Sequence, residues 1–293
     1  VWLNGKFLPA AEATVSVLDR GFIFGDGVYE VVPVFGSHIV RLDEHLRRLR
    51  QSLAAIYMQS PHSDAEWGAI IDGLLERNPC GRDRSVYLQV TRGVAPREHV
   101  IRNPLTPTVF GMCAPIPERV YDKGLSAITH ADIRWAYCDI KAISLLPGVL
   151  VRERARRADG SAEAILLRDG VVTEGAASNV FVVNAGAVCT PAKSNHLLPG
   201  VTRDLVVELL RGAGLDCSEG PISEPELRTA DEIWITSSTM GIAPVTLLDG
   251  KSVGDGRPGP VWQAADRVYQ DYKLQVSAGT APGEGPGRSR AAG

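Results

Sequence analysis

Hydrophobic residues recur along this chain with two different periods, and that pairing confines it to folds that mix helices with strands. Leu42, Leu46, Leu49, Leu53 and Ile56 fall at helical spacing, which predicts a helix from about Asp43 to Tyr57. Val86, Leu88 and Val90 instead alternate with Tyr87, Gln89 and Thr91, the pattern of a half-buried strand, and Thr108 to Ala114 reads as its partner. Asn4-Gly5 marks one hairpin turn, and Gly36-Ser37 marks another between Val28 to Phe35 and His38 to Val40. The first third therefore reads as strands with one long helix.

Pro115, Pro117 and Gly124 interrupt this pattern. They set a linker at 117–124 between a small α/β domain at 1–116 and a larger domain at 125–276. In the larger part the sequence predicts a helix over Val149 to Ala158 ended near Gly160, a strand over Ala162 to Leu167, and a turn at Asp169-Gly170 into Val171-Val172. Val180 to Val183 should pair with Ala187 to Cys189 across Asn184-Ala185-Gly186. Glu232 to Thr236 should form a strand, and helices should occupy Val201 to Arg211 and Val261 to Leu274. Residues 277–293, rich in Gly, Pro, Ser and Ala, read as a disordered tail.

Bulk properties narrow the function. A length of 293 residues fits two domains of ~150 each. The net charge of -3 is too close to zero to predict a nucleic-acid or membrane surface. Apolar runs such as Leu205-Val206-Val207 fall far short of the ~18 residues a membrane span needs. No basic start followed by a long apolar stretch opens the chain, so no signal peptide is expected. Cys80, Cys113, Cys138, Cys189 and Cys217 are scattered without a Cys-x-x-Cys pair, and the histidines are equally dispersed. That argues for reduced thiols in a cytoplasmic protein, with neither a disulfide framework nor a metal centre.

One stretch carries chemistry. Lys141 sits in the apolar run Ile140-Lys141-Ala142-Ile143, and Glu174 follows among small residues in Glu174-Gly175-Ala176-Ala177-Ser178-Asn179. A desolvated amine loses its proton near neutrality and can attack a carbonyl, and a nearby acid can hold a ring nitrogen protonated. The alternative is structural: a lysine can bury its stem and lift its ammonium into water.

Taken together, Phe24-Gly25-Asp26-Gly27-Val28-Tyr29-Glu30, Glu44-His45-Leu46-Arg47-Arg48-Leu49, the Lys141 segment, Glu174 to Asn179 and Pro199-Gly200-Val201-Thr202-Arg203 resemble the fold-type IV pyridoxal-phosphate enzymes. These form the superfamily of branched-chain and D-amino-acid aminotransferases. The likeness runs from about Leu3 to Leu274. Gln89 to His99 looks most like the D-amino-acid aminotransferases.

The resemblance implies an α/β (α+β) fold with a small N-terminal and a larger C-terminal domain, pyridoxal 5′-phosphate as cofactor, and a homodimer. It implies that Lys141 forms the Schiff base with the cofactor and that Glu174 faces the pyridine nitrogen. Arg48, Val201, Thr202, Ser237 and Ser238 would hold the phosphate. Arg47, Arg48 and Arg50 all lie off the leucine stripe, where a solvated face is the default, so only the motif selects Arg48. Read alone, Thr202 could simply cap its helix.

Tyr29 and Tyr87 would line the pocket, and Arg97 with His99 would grip the substrate α-carboxylate from the neighbouring subunit. The implied reaction passes the amino group of a D-amino acid, such as D-alanine, to a 2-oxo acid, such as 2-oxoglutarate, by a ping-pong mechanism, with a 4-amino-4-deoxychorismate lyase, a branched-chain L-aminotransferase and a cofactor-free binding protein as rivals. Ala176-Ala177 and Gly241 depart from the family pattern, since serines and a glutamate often stand there. This bears on pocket shape.

Overall fold

The computed structural model describes residues 1–101 and 105–281 and divides them into two compact units. Unit 1 comprises Val1–Pro117, Ile140–Ser144 and the chain from Leu274 on; unit 2 comprises Glu118–Asp139 and Leu145–Lys273. The lysine segment thus packs with unit 1, although its place in the sequence lies within 125–276. Its backbone explains this: Lys141 N donates to Ser52 Oγ, Lys141 O accepts from Tyr29 N, and Ala142 bridges Val28.

Unit 1 contains β1 (Trp2–Leu3), β2 (Lys6–Phe7), α1 (Arg20–Phe24), β3 (Gly27–Phe35), β4 (His38–Ile39), α2 (Leu42–Ala55), α3 (Asp64–Arg77), β5 (Asp83–Thr91) and β6 (Thr108–Pro115). The strands form one antiparallel sheet in the order β2-β1-β6-β5-β3-β4. Val28, Val34, Val86, Leu88 and Val90 meet Leu46, Leu49, Leu53, Trp67, Ile71 and Leu74 in its core. Both hairpins and α2 match the sequence pattern.

Helix α3 does not: the first third holds a second long helix. Its start is written in Ser63-Asp64-Ala65-Glu66, where Ser63 and Glu66 form a reciprocal capping box.

Unit 2 contains β7 (Leu125–Ala131), α4 (Leu146–Asp159), β8 (Glu163–Arg168), β9 (Val171–Gly175), β10 (Asn179–Asn184), β11 (Ala187–Thr190), α5 (Val201–Gly212), β12 (Cys217–Glu219), α6 (Glu224–Arg228), β13 (Glu232–Ser237), β14 (Gly241–Leu248) and β15 (Lys251–Ser252). The nine strands form a mixed sheet ordered β12-β11-β10-β13-β14-β7-β8-β9, with β15 on β14. Helix α7 (Pro260–Ser277) follows, and the two oxygens of buried Glu232 accept its first backbone N–H groups, Val261 N at 2.9 Å and Trp262 N at 2.7 Å.

Helix α7 runs three residues past its expected end. Ala278, Gly279 and Thr280 close it through bonds to Leu274, Val276 and Gln275 carbonyls, and Ala281 is buried. The start of the predicted tail is therefore ordered, because the apolar face of α7 continues through Val276. The rest of the tail, 282–293, lies outside the described residues. None of the helices among the described residues is long and apolar enough to cross a membrane.

Candidate active site

Within unit 1, strand alternation separates two sets of polar groups. Tyr29 and Tyr87 stand on neighbouring strands with ring centroids 5.5 Å apart, and the Lys141 amine lies 4.3 Å from the Tyr29 ring centroid. No side-chain hydrogen bond or ion pair holds Lys141 Nζ among the described residues, so the ring face is its visible neighbour. Tyr87 donates to Gln89 Oε1 at 2.7 Å, and burial, together with Tyr29, pushes its phenol up to about 12.

The opposite side of β3 points Glu30 into the core beneath α2. Arg48 Nε and Nη2 donate to the two Glu30 oxygens at 2.7 and 2.8 Å, and His45 Nδ1 lies 2.9 Å from Oε2. Burial pushes the Glu30 carboxyl up, but the charge and hydrogen bonds of Arg48, with His45, outweigh it and hold Glu30 far below the usual range. Burial in turn lowers His45. Arg47 and Arg50 are exposed while Arg48 is buried, so the expectation of one solvated arginine face fails at Arg48. The cause is Glu30, whose buried charge requires a cation across from it.

Arg97 and His99 lie exposed on the loop after β5. Phe24 gathers them: the Arg97 guanidinium sits 5.7 Å from its ring centroid and the His99 ring 5.4 Å. Arg20 crosses the same ring at 4.9 Å and donates to Glu98 O at 2.6 Å. Asp26 fixes Arg20 and Arg92 through bonds of 2.7 to 3.0 Å, which anchors both ends of this stretch.

Unit 2 builds a second constellation around Glu174 at the end of β9. Its Oε2 accepts from Leu198 N at 3.0 Å and Asn179 Nδ2 at 3.3 Å, and its Oε1 accepts from Arg134 Nη1. Asn179 also holds Leu198 O at 2.9 Å. Gly200 abuts this asparagine so closely that a Cβ there would come within 2.0 Å of its Oδ1, so only glycine lets α5 start here.

The N-cap of α5 is Gly200, which offers no side-chain cap, and Thr202 makes no capping bond. The first N–H groups and the hydroxyls of Thr202, Ser237 and Ser238 have no side-chain hydrogen-bond partner among the described residues. Ser238 occupies the turn that joins β13 to β14. That turn ends at Gly241, whose φ of +71° explains why glycine stands there.

The structure thus places Arg48, Lys141, Tyr29, Tyr87, Arg97 and His99 in unit 1, and Glu174, Val201, Thr202, Ser237 and Ser238 in unit 2. Glu30, His45, Asp132, Arg134 and Leu198 were not singled out as site residues by the sequence. Only Glu30 and His45 lay within a quoted motif.

An amine on an aromatic face in unit 1, and in unit 2 a buried carboxylate held by an arginine and an uncapped helix N-terminus flanked by hydroxyls, are groups of the kind that pyridoxal-phosphate chemistry uses. The chain belongs to the amino-transferase class IV family, whose model matches residues 27–248. It is 41% identical to the D-alanine aminotransferase of Bacillus licheniformis over 96% of this chain and 99% of that one. It is 40% identical to the D-alanine aminotransferase of Listeria innocua over 89% and 91%.

Among solved structures, the Escherichia coli branched-chain amino acid aminotransferase aligns with a TM-score of 0.86 at 26% identity, covering 97% of this chain and 95% of that one. A T.th. branched-chain amino acid aminotransferase complexed with N-(5′-phosphopyridoxyl)-L-glutamate aligns at 0.84 and 26%, covering 96% and 94%. This chain is an aminotransferase, and its class uses pyridoxal 5′-phosphate.

The residues present fit that cofactor. An uncapped helix N-terminus with spare hydroxyls suits a phosphate, and a buried, arginine-held carboxylate suits a protonated ring nitrogen.

Proposed function

We propose that this chain transfers the amino group of a D-amino acid, such as D-alanine, to a 2-oxo acid such as 2-oxoglutarate, in two ping-pong half-reactions. The observation that carries this reading is the full-length similarity to D-alanine aminotransferases, supported by the Arg97-Glu98-His99 loop gathered on Phe24. Arginine's planar fork suits a carboxylate, and histidine adds a further hydrogen bond.

Lys141 would hold the cofactor covalently, Glu174 would face its ring nitrogen, and Arg48, Val201 N, Thr202, Ser237 and Ser238 would hold its phosphate. When bound, the cofactor supplies an electron sink for the charge left as substrate Cα loses its proton. Released from the cofactor by the incoming substrate amine, Lys141 Nζ would take that proton and carry it, and the Tyr29 ring beneath would steady the amine while it is charged. Tyr87 keeps its proton across the working pH range and lines the pocket with Tyr29 as a neutral aromatic wall.

The enzyme acts as a homodimer in which Arg97 and His99 serve the site of the second copy. Exposed Val17, Phe22, Val94 and Val100 in unit 1, and Trp135, Tyr137, Leu146 and Val149 in unit 2, support such an interface. Five free cysteines support a cytoplasmic setting.

A panel of D- and L-amino acids with 2-oxoglutarate, run on a preparation whose solution mass is twice that of the chain, tests the reading. D-Alanine should turn over fastest, and Arg97→Ala should raise its KM and lower kcat/KM. Preferred turnover of L-leucine or L-valine overturns the proposal in favour of the branched-chain reading.

A further inference from the structure

Arg134 lies in the irregular stretch after β7. Its Nε and Nη2 donate to the two oxygens of Asp132, each at 2.9 Å; Nη1 donates to Glu174 Oε1 and Nη2 also to His196 O at 3.2 Å. Asp132 is completely shielded, while the Glu174 and Arg134 side chains keep 6% and 13% of their exposure. Arg168, from β8, lies 3.2 Å from Asp132 Oδ2 and 2.7 Å from His196 Nδ1. Nearby Cys138 stays a neutral thiol, pushed up to about 11 chiefly by burial, and Glu163 is occupied by Ser178.

Two carboxylates and two guanidiniums balance here. Without Arg134 the cluster would hold two buried carboxylates and one guanidinium, and the cheapest response is to protonate one of the acids. Asp132 would keep Arg168 beside it, whereas the arginine that meets Glu174 is Arg134 itself. The charge of Glu174 is therefore tied to Arg134 through their direct bond.

We propose that Arg134 is a positioning residue that keeps Glu174 ionised and weakly basic, so that the proton it shares with the cofactor ring stays on the ring nitrogen. This rests on the reading of Glu174 as the ring nitrogen's partner. A more basic Glu174 would draw that proton onto its own oxygen, leaving a neutral pair and a poorer electron sink. Burial works against both charges at Asp132 and Arg134, yet their mutual hydrogen bonds outweigh it, lowering Asp132 and raising Arg134. The network thus holds its charged form.

The test is a titration of cofactor-free protein carrying ¹³C-labelled glutamate, with the Glu174 resonance identified by its loss in Glu174→Gln. Arg134→Met should raise the Glu174 midpoint by about 1–3 pH units. Arg134→Lys should restore most of it, and Arg134→Gln, which keeps donors but no charge, serves if the Met variant does not fold. In protein loaded with ¹⁵N-ring cofactor, the ring nitrogen resonance should move toward its unprotonated position in Arg134→Met. A folded, charge-free Arg134 variant with an unmoved Glu174 midpoint overturns the proposal. A moved midpoint with the ring resonance unchanged in both Arg134→Met and Glu174→Gln instead overturns the pairing of Glu174 with the ring.

Discussion

The two units each bury an ion network, and the networks have opposite polarity. In unit 1 the centre is a carboxylate, Glu30, with Arg48 and His45 around it. In unit 2 the centre is a guanidinium, Arg134, with Asp132 and Glu174 around it. The proposed cofactor contacts, Arg48 and Glu174, are in both cases the outer partners. A central ion of opposite sign fixes each of them before any ligand binds, so little reorganisation remains to be made on binding.

The comparison breaks first at Glu30. Glu30→Gln leaves Arg48 buried beside a neutral amide, and loss of one member of a buried pair costs about 3–5 kcal/mol. Urea unfolding should show that loss near neutral pH. The folded carboxyl lies far below its ordinary 4.5, so its stabilisation is complete above about pH 4.5 and fades as pH falls through the depressed value. The gap between wild type and Glu30→Gln should therefore narrow in acid. A constant gap would mean that packing rather than charge holds this network.

Much of the fold was legible because burial imposes period on sequence, as in α2 and the β5/β6 pair. Strand β7 was not, since only Ala127 of it is fully buried and no alternation results. Strand β14 is buried almost throughout and carries Pro244 in its middle, which argues against a strand until its pairing is seen. Of the candidate site residues, Lys141 and Glu174 stood out from their own neighbours alone. Arg134 was not, because its partner Glu174 lies 40 residues away and no local spacing links them. Arg48 looked solvated on the helical wheel, for the wheel cannot show that β3 presents a glutamate to it.

The next test asks whether Arg48 serves a ligand or only neutralises Glu30. Replacing Arg48 alone would confuse the two roles by stranding a buried carboxylate. The paired variant Glu30→Gln with Arg48→Met removes both charges together, and such exchanges are often nearly neutral for stability. If Arg48 also meets the phosphate, the folded double variant should bind pyridoxal phosphate tenfold to a hundredfold more weakly by equilibrium dialysis. That corresponds to the about 1.5–3 kcal/mol of a charge-assisted bond. Arg47→Ala, on the exposed side of α2, should change nothing. Wild-type affinity in the double variant would reduce Arg48 to a structural counter-ion.

The smallest expected effect lies outside both networks, on the loop of Arg97 and His99. No buried ion among the described residues is bonded to these side chains; the Phe24 ring, 5.7 Å from one and 5.4 Å from the other, is the visible platform. An exposed cation–π contact contributes about 0.5–1 kcal/mol, so Phe24→Leu should raise the KM for D-alanine by roughly two- to fivefold, with kcat changed less. Thermal stability should stay near wild type, because Arg20 still reaches Glu98 O and Asp26 still anchors Arg20 and Arg92. Amine substrates without a carboxylate should be indifferent to the change. An equal loss for those amines would show that Phe24 shapes the pocket as a whole rather than the carboxylate clamp, leaving the loop to be held by the Asp26 anchor alone.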